Sequence, residues 1–237
     1  MGNPDTAHWS KRPQLSDEAA DYLRALIMSG ELAPGESVRA ELIAEMLGMS
    51  ATPVREALKA LRVEGFLTLQ PRRGFQVADL TAQDIQDLFT VQALVAGELV
   101  ARAARNCTPD DVADLQAIHA DLAKAAAGGD TEALESLNHR FHKEINRLGR
   151  SPKILWVLGL LTRYVPRMFY GTIPGWPQST IDGHGAILEA VVAGDPEAAR
   201  AAMNAHLMKS GSLLASHFAE RTRATAPAAE GPTVLNA

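Results

Sequence analysis

Cysteine is almost absent from this sequence: Cys107 stands alone among 237 residues. A single thiol excludes an intrachain disulfide and fits a reducing compartment, the cytoplasm. Cys107 itself reads as a small buried hydrophobe. No apolar run approaches the roughly 20 residues that span a bilayer, so no membrane-spanning helix is expected. The opening stretch MGNPDTAHWSKRPQ has no apolar core, so no secretory signal is expected either. There is no internal repeat, and no P-loop, G-x-S-x-G or C-x-x-C motif. An overall positive charge is missing too. The formal net charge is −5, which excludes indiscriminate coating of nucleic acid but leaves room for a local basic site.

What the chain does have is apolar residues, 46% of the total, enough to bury one large core or two modest ones. Ala and Leu dominate, and helix-start signals recur. Ser16 precedes the run holding Tyr22, Leu23, Leu26 and Ile27. Thr81 with Asp84 has capping-box spacing, and Thr108-Pro109-Asp110-Asp111 and Asp195-Pro196-Glu197 each combine a cap, a first-turn proline and acids. Residues 1–14 read as a flexible arm and 223–237 as a disordered tail. A boundary near residue 80 separates a small N-terminal domain (15–79) from an all-helical remainder (80–222).

In the N-terminal domain a first helix leads to the Pro34-Gly35 turn, then to a short helix over about 39–47 closed by Gly48. The next helix begins at 51-ATPVREALKALRVEG-65, capped by Ser50 or Thr52 with Pro53 in its first turn. Val54, Leu58 and Leu61 form an apolar stripe, and Arg55, Lys59 and Arg62 a basic one beside it. The segment 66-FLTLQPRRGFQV-77 reads as a β-hairpin tipped by Arg72, Arg73 and Gly74. From Ala51 to Ala78 there are five basic residues against two acids, a net of +3 inside an acidic chain. Helix, tight turn, basic helix and basic hairpin are the layout of a winged helix-turn-helix, whose second helix suits a major groove. The alternative, an ordinary solvated basic face, stays open on charge alone, although the adjoining hairpin weighs against it.

The helical remainder reads as an antiparallel bundle. Its expected helices begin with a long one from Asp84 through Leu99. Others fall near 110–127, 131–149, 152–170 (kinked by Pro166), 178–193 and 196–221. Helical geometry places Asn138 and His142 as i, i+4 neighbours at the edge of an apolar face made by Leu134, Leu137, Phe141, Ile145 and Leu148. His139 lies toward the polar side. His184 shares a face with Ile187, Leu188 and Val191, and His206 with Met203 and Leu213. Three inward imidazoles, with Asn138 beside one, fit a shared metal, since imidazole suits Zn, Ni, Fe or Cu. Each ring taken singly is more usually a satisfied core histidine, as His119 facing Leu115 and Leu122 illustrates. His8 and His217 read as surface or tail residues.

Residues 16–78 closely resemble the DNA-binding domain of GntR-family bacterial transcription regulators. The turn, the S-x-T-P-V-R-E-A-L helix and the P-R-R-G-F wing occur in order at the family's spacing. The resemblance implies that Ser50, Thr52, Arg55, Lys59, Arg72, Arg73 and Gly74 contact operator DNA, with Arg55 the candidate for a guanine edge. Ala51 and Glu41 stand where the family often carries basic residues. The segments LNHRFHKEINRLGRSPKIL and DGHGAILEAVVAGDPEAARAAMNAHL resemble the FCD effector-binding domain of the FadR-like branch. That resemblance implies a divalent metal, Zn or Ni, held by Asn138, His142, His184 and His206. Asn138 replaces the commoner Asp and lowers the expected affinity. It also implies a small organic acid effector. The family's usual effector-binding arginine is replaced by Gln92, which leaves Arg102, Arg163 and Arg167 as further candidates. The whole reads as a homodimeric, cytoplasmic repressor of a metabolic operon on near-palindromic DNA, not an enzyme. The acid is expected to shift the DNA-binding domains. A metal-dependent enzyme or a pure metal sensor built on the same histidines is the competing reading.

Overall fold

A computed structural model describes residues 14–72, 74–165 and 170–225. It is mainly helical and divides into two compact units, Met1–Leu80 and Thr81–Ala237. Of the positions singled out above, His8, Arg73, Pro166 and Arg167, with residues 1–13 of the arm and 226–237 of the tail, lie outside the described residues.

The first unit opens with α1 (Leu15–Met28), preceded by Gln14 in extended conformation. The helix therefore starts one residue ahead of Ser16, which sits inside the first turn and not at the cap. A two-residue strand, β1 (Ser37–Val38), leads into α2 (Ala40–Leu47). Gly48 ends α2 at φ 62°, the left-handed conformation that glycine adopts without a steric penalty. Ser50 then stands ahead of α3 (Ala51–Val63). Strands β2 (Leu67–Gln70) and β3 (Gly74–Val77) complete an antiparallel sheet of order β1-β3-β2, with Leu69 opposite Phe75 and Val38 also opposite Phe75. The hairpin was legible in the sequence; its third strand was not, because two residues carry no alternation. Leu23, Ile27, Val54, Leu58, Leu61 and Phe66 fill the core. Arg24, almost fully buried, holds Glu64 through two bonds of 2.9 Å and so ties α1 to the end of α3.

The second unit contains α4 (Ala82–Asn106), α5 (Pro109–Gly128), α6 (Thr131–Leu148), α7 (Pro152–Thr162), a 3-10 turn at Tyr170–Thr172, α8 (Trp176–Val192) and α9 (Pro196–Thr225). Thr81–Asp84 and Thr108–Asp111 form reciprocal capping boxes, and Asp195 accepts from the Glu197 and Ala198 backbone N–H groups. The expected helix over 152–170 is shorter. It stops at Thr162, four residues ahead of Pro166 in the sequence; proline lacks the N–H that a continuing helix would donate to the Thr162 carbonyl. The last helix runs to Thr225, past the expected start of the tail. His217, read as a surface residue, is half-buried on it.

α9 runs antiparallel to α4. A Cβ on Gly97 would meet Asn204, and one on Gly211 would meet Phe89, so small residues set this close approach. Leu99, Val100, Leu115, Phe141, Ile145, Ile187 and Met203 form the buried centre. Cys107 packs half-buried against it, and burial pushes its thiol up. No helix among the described residues is long and apolar enough to cross a membrane.

Candidate metal centre and nucleic-acid interface

In the first unit, α3 buries Val54, Ala57, Leu58 and Leu61 and leaves Ser50, Thr52, Arg55, Lys59 and Arg62 exposed. The alternation follows from the helical period: the apolar stripe packs on α1 and α2, so the basic stripe faces solvent. At the hairpin tip Arg72 adopts φ 66° and Gly74 φ 82°, and both are exposed. A left-handed arginine is uncommon. Arg55 is not a free cation: its Nη2 donates to Glu41 Oε1 on α2 at 2.6 Å. The Glu41 carboxyl is held below the usual carboxylate range, first by its own backbone N–H at the start of α2 and then by Arg55.

In the second unit, α6, α8 and α9 bring three histidines together. His142 Nε2 lies 3.1 Å from His206 Nε2 and 3.2 Å from His184 Nε2. One nitrogen of each ring falls within 4.8 Å of the others. His184 and His206 are buried and His142 is half-buried. Phe141 stacks on His184 with centroids 4.0 Å apart and planes 13° from parallel, fixing that ring. Gly183 makes room for His206, since a Cβ there would sit 2.9 Å from His206 Cγ and nearer still to Nδ1.

Burial drives the ionisation of the trio. It pushes His142 down to about 3 and His206 to about 4, and holds His184 well below its ordinary value, where the neighbouring rings add to the effect. All three rings are therefore neutral near pH 7. Each neutral ring has one N–H, so three converging Nε2 atoms cannot all be paired among themselves. The Asn138 Oδ1, one turn before His142, is buried and has no hydrogen-bond partner among the described residues. Neighbouring nitrogen ligands on a first-row metal lie roughly 3.0–3.5 Å apart. The neutral donors, their spacing and the orphaned amide oxygen fit a divalent cation.

The other sequence candidates lie elsewhere. Gln92 is buried, but its amide donates to the Leu161 carbonyl at 3.3 Å. Arg102 is paired with Glu98 at 2.7 Å, and Glu98 also takes Arg200 at 2.7 Å. Arg163 is exposed at the end of α7. None of the three bonds to a histidine of the trio among the described residues. His139 is exposed, as its helical position implies. His119 stands half-buried 6.3 Å from His184, outside the converging group. Sequence reasoning missed Thr180, Asn146 and Gly183, and placed Phe141 on the apolar face with no part in the centre. Thr180 is completely buried one turn before His184, and Asn146 is buried one turn after His142. Neither Thr180 Oγ1 nor Asn146 Oδ1 has a partner among the described residues. Spacing of four, from His184 and from His142, was the available signal for these two.

A winged helix-turn-helix with an exposed basic helix, joined in one chain to a helical unit with an internal polar centre, defines a DNA-binding transcription regulator. The comparisons make this specific. The model for bacterial regulatory proteins of the gntR family matches residues 15–77, and the FCD domain model matches residues 87–209. The chain belongs to the GntR family, in its FCD-containing branch. It is 28% identical over 199 residues to a probable D-xylose utilization operon transcriptional repressor of Paenarthrobacter nicotinovorans, covering 83% of this chain and 87% of that one. It is 29% identical over 194 residues to the transcriptional regulator McbR of Escherichia coli, covering 80% and 88% respectively. The solved structure of Escherichia coli McbR superposes with a TM-score of 0.65 at 27% identity, covering 86% of this chain and 98% of that one.

Proposed function

We propose that this chain is a metal-dependent, ligand-responsive repressor of a metabolic operon, acting in the cytoplasm as a homodimer on near-palindromic DNA. Residues 15–79 are its DNA-binding domain and residues 80–222 its effector-binding and dimerisation domain. Arg55 reads a base edge in the major groove, Ser50, Thr52 and Lys59 position α3 on the phosphates, and the wing residues Arg72, Arg73 and Gly74 meet the backbone. The observation that carries the ligand-responsive part is the convergence of three neutral Nε2 atoms from His142, His184 and His206. Asn138 completes the donor set with its orphaned amide oxygen.

Imidazole nitrogens suit Zn or Ni. A divalent ion held by four neutral groups keeps its full charge, and that charge attracts the carboxylate of a small organic acid. The chain's own part is to orient the rings, exclude water by stacking Phe141 on His184, and keep every ring unprotonated at neutral pH.

Dimerisation is supported by the second unit's surface. α7 packs on α4, and both present large apolar side chains to solvent: Val91 and Leu94 on α4, Trp156 and Leu160 on α7. A second copy covering this surface would bury it isologously and set two α3 helices on successive half-sites. The Paenarthrobacter relative is a probable operon transcriptional repressor, and repression relieved by ligand is the mode proposed for this chain.

The test is DNA release by purified full-length protein. Duplexes selected from a randomised pool serve as probe, with Zn or Ni present and a panel of small organic acids added in turn. At least one acid should weaken binding tenfold or more, and only with metal present. Release by acids in metal-free protein would contradict the metal's role. Turnover of an acid would favour an enzyme.

A further inference from the structure

An ion pair on the exposed basic side of α3 joins groups that gain little from each other in folding. Glu41 is 67% exposed at its side chain and Arg55 58%, so their pairing adds little to stability. An acid placed beside a DNA-contacting arginine also repels phosphate. Its effect must therefore be sought in what it does to Arg55. The contact is monodentate: Nη2 donates to Oε1 at 2.6 Å, and the other guanidinium N–H groups make no hydrogen bond among the described residues. An arginine so held is fixed at one corner of its fork and free along the rest.

We propose that Glu41 is a specificity-determining residue: it orients Arg55 for a guanine edge and offsets that arginine's pull on the phosphate backbone. The inference rests on the reading that α3 faces DNA. Two consequences follow from one contact. Orientation raises affinity where the base edge matches the fork, because a bidentate arginine–guanine pair discriminates only when both bonds form together. Charge compensation lowers affinity for every other sequence, because non-specific binding comes almost wholly from phosphate neutralisation. Both raise the ratio of specific to non-specific binding, the quantity that decides occupancy among competing sites. The backbone N–H at the start of α2 and Arg55 itself hold the Glu41 carboxyl below the usual carboxylate range, with a smaller contribution from Arg39, so the pair is charged at neutral pH. Among the described residues no acid besides Glu41 is hydrogen-bonded to Arg55.

The experiment is selection from randomised duplexes by full-length wild-type, Glu41→Gln and Arg55→Ala proteins, with salt titrations on one unselected duplex. Arg55→Ala should erase the preference at one base position in each half-site. Glu41→Gln should weaken that same preference by roughly three- to tenfold, a fraction of what a bidentate contact supplies, and leave the other positions unchanged. It should also tighten binding to the unselected duplex and steepen its salt dependence by up to about one in slope. A Glu41→Gln protein with full preference at the Arg55-dependent position would overturn the inference and leave the role of Arg55 standing. An Arg55→Ala protein that keeps the whole motif would overturn both. Because both side chains are exposed, the variants are expected to fold, and unchanged melting temperatures verify it.

Discussion

Gly183 and Gly185 flank His184 on α8, and replacing each by alanine makes opposite demands on the centre. A Cβ on Gly183 would stand 2.9 Å from His206 Cγ and 3.1 Å from its Cβ, with Nδ1 closer still. Real Cβ atoms do not sit that close to a ring, so the imidazole must move. A Cβ on Gly185 would meet only His119 Nε2, at 3.8 Å, an ordinary contact. In a helix interior Gly→Ala gains about 1 kcal/mol, whereas overpacking costs about 1–3 kcal/mol. Gly183→Ala should then fold with stability within about 2 kcal/mol of wild type, and Gly185→Ala should be about 1 kcal/mol more stable. The difference should appear in metal affinity. Disturbing a group that merely supports a ligand weakens binding about 10–100-fold, so displacing His206 itself should cost at least roughly 100-fold, about 2.7 kcal/mol. Competition titration against a chromophoric chelator, with Zn and Ni, reads the affinity directly. A folded Gly183→Ala protein with wild-type affinity would refute the placement of His206 as a ligand. Equal losses in both variants would show a general effect of stiffening α8.

Further outcomes follow from the same geometry. Asn138→Asp supplies the negative donor that the trio lacks and should tighten metal binding by about tenfold or more; unchanged affinity in the same titration would remove Asn138 from the donor set. The pH dependence has a definite sign. Burial depresses the folded-state values of His142 and His206, so below about pH 6.5 the unfolded chain takes up protons first. Metal-free protein should be fully stable above about pH 6.5 and lose stability progressively as pH falls toward 4. The loss is up to about 1.4 kcal/mol per pH unit for each ring. Urea midpoints at pH 7, 6 and 5 measure this, and a flat profile, or one no shallower in His206→Gln, would contradict it. Leu94→Glu combined with Trp156→Glu should give a monomer in sedimentation equilibrium at micromolar concentration. An undisturbed dimer would move the interface elsewhere.

Much of this molecule is legible in one chain of letters because its devices are local. The apolar stripe of Val54, Leu58 and Leu61 fixes which side of α3 is buried, and so which side carries Arg55 and Lys59. Thr81–Asp84 and Thr108–Asp111 announce their helices by capping chemistry alone. Helical period also turns Asn138 and His142 to one side and His139 to the other. Features that depend on distant partners were not legible. β1 is two residues long and exists because β3 pairs with it. The intimacy of Gly183 with His206, the stack of Phe141 on His184 and the burial of Thr180 arise where helices meet. The Glu41–Arg55 pair spans two helices in the same way. Charge counting along α3 treats Arg55 as free, and only the fold shows that it is already engaged.

Metal binding by the histidine trio is open to direct assay. Elemental analysis of full-length protein, purified without chelator and then equilibrated with Zn, Ni or Mn, tests it most directly when wild type and His184→Ala are compared. The wild type is expected to hold one equivalent of metal per chain and the variant a small fraction of that. No stoichiometric metal in the wild type with any of the three ions, or equal metal in both proteins, would contradict it.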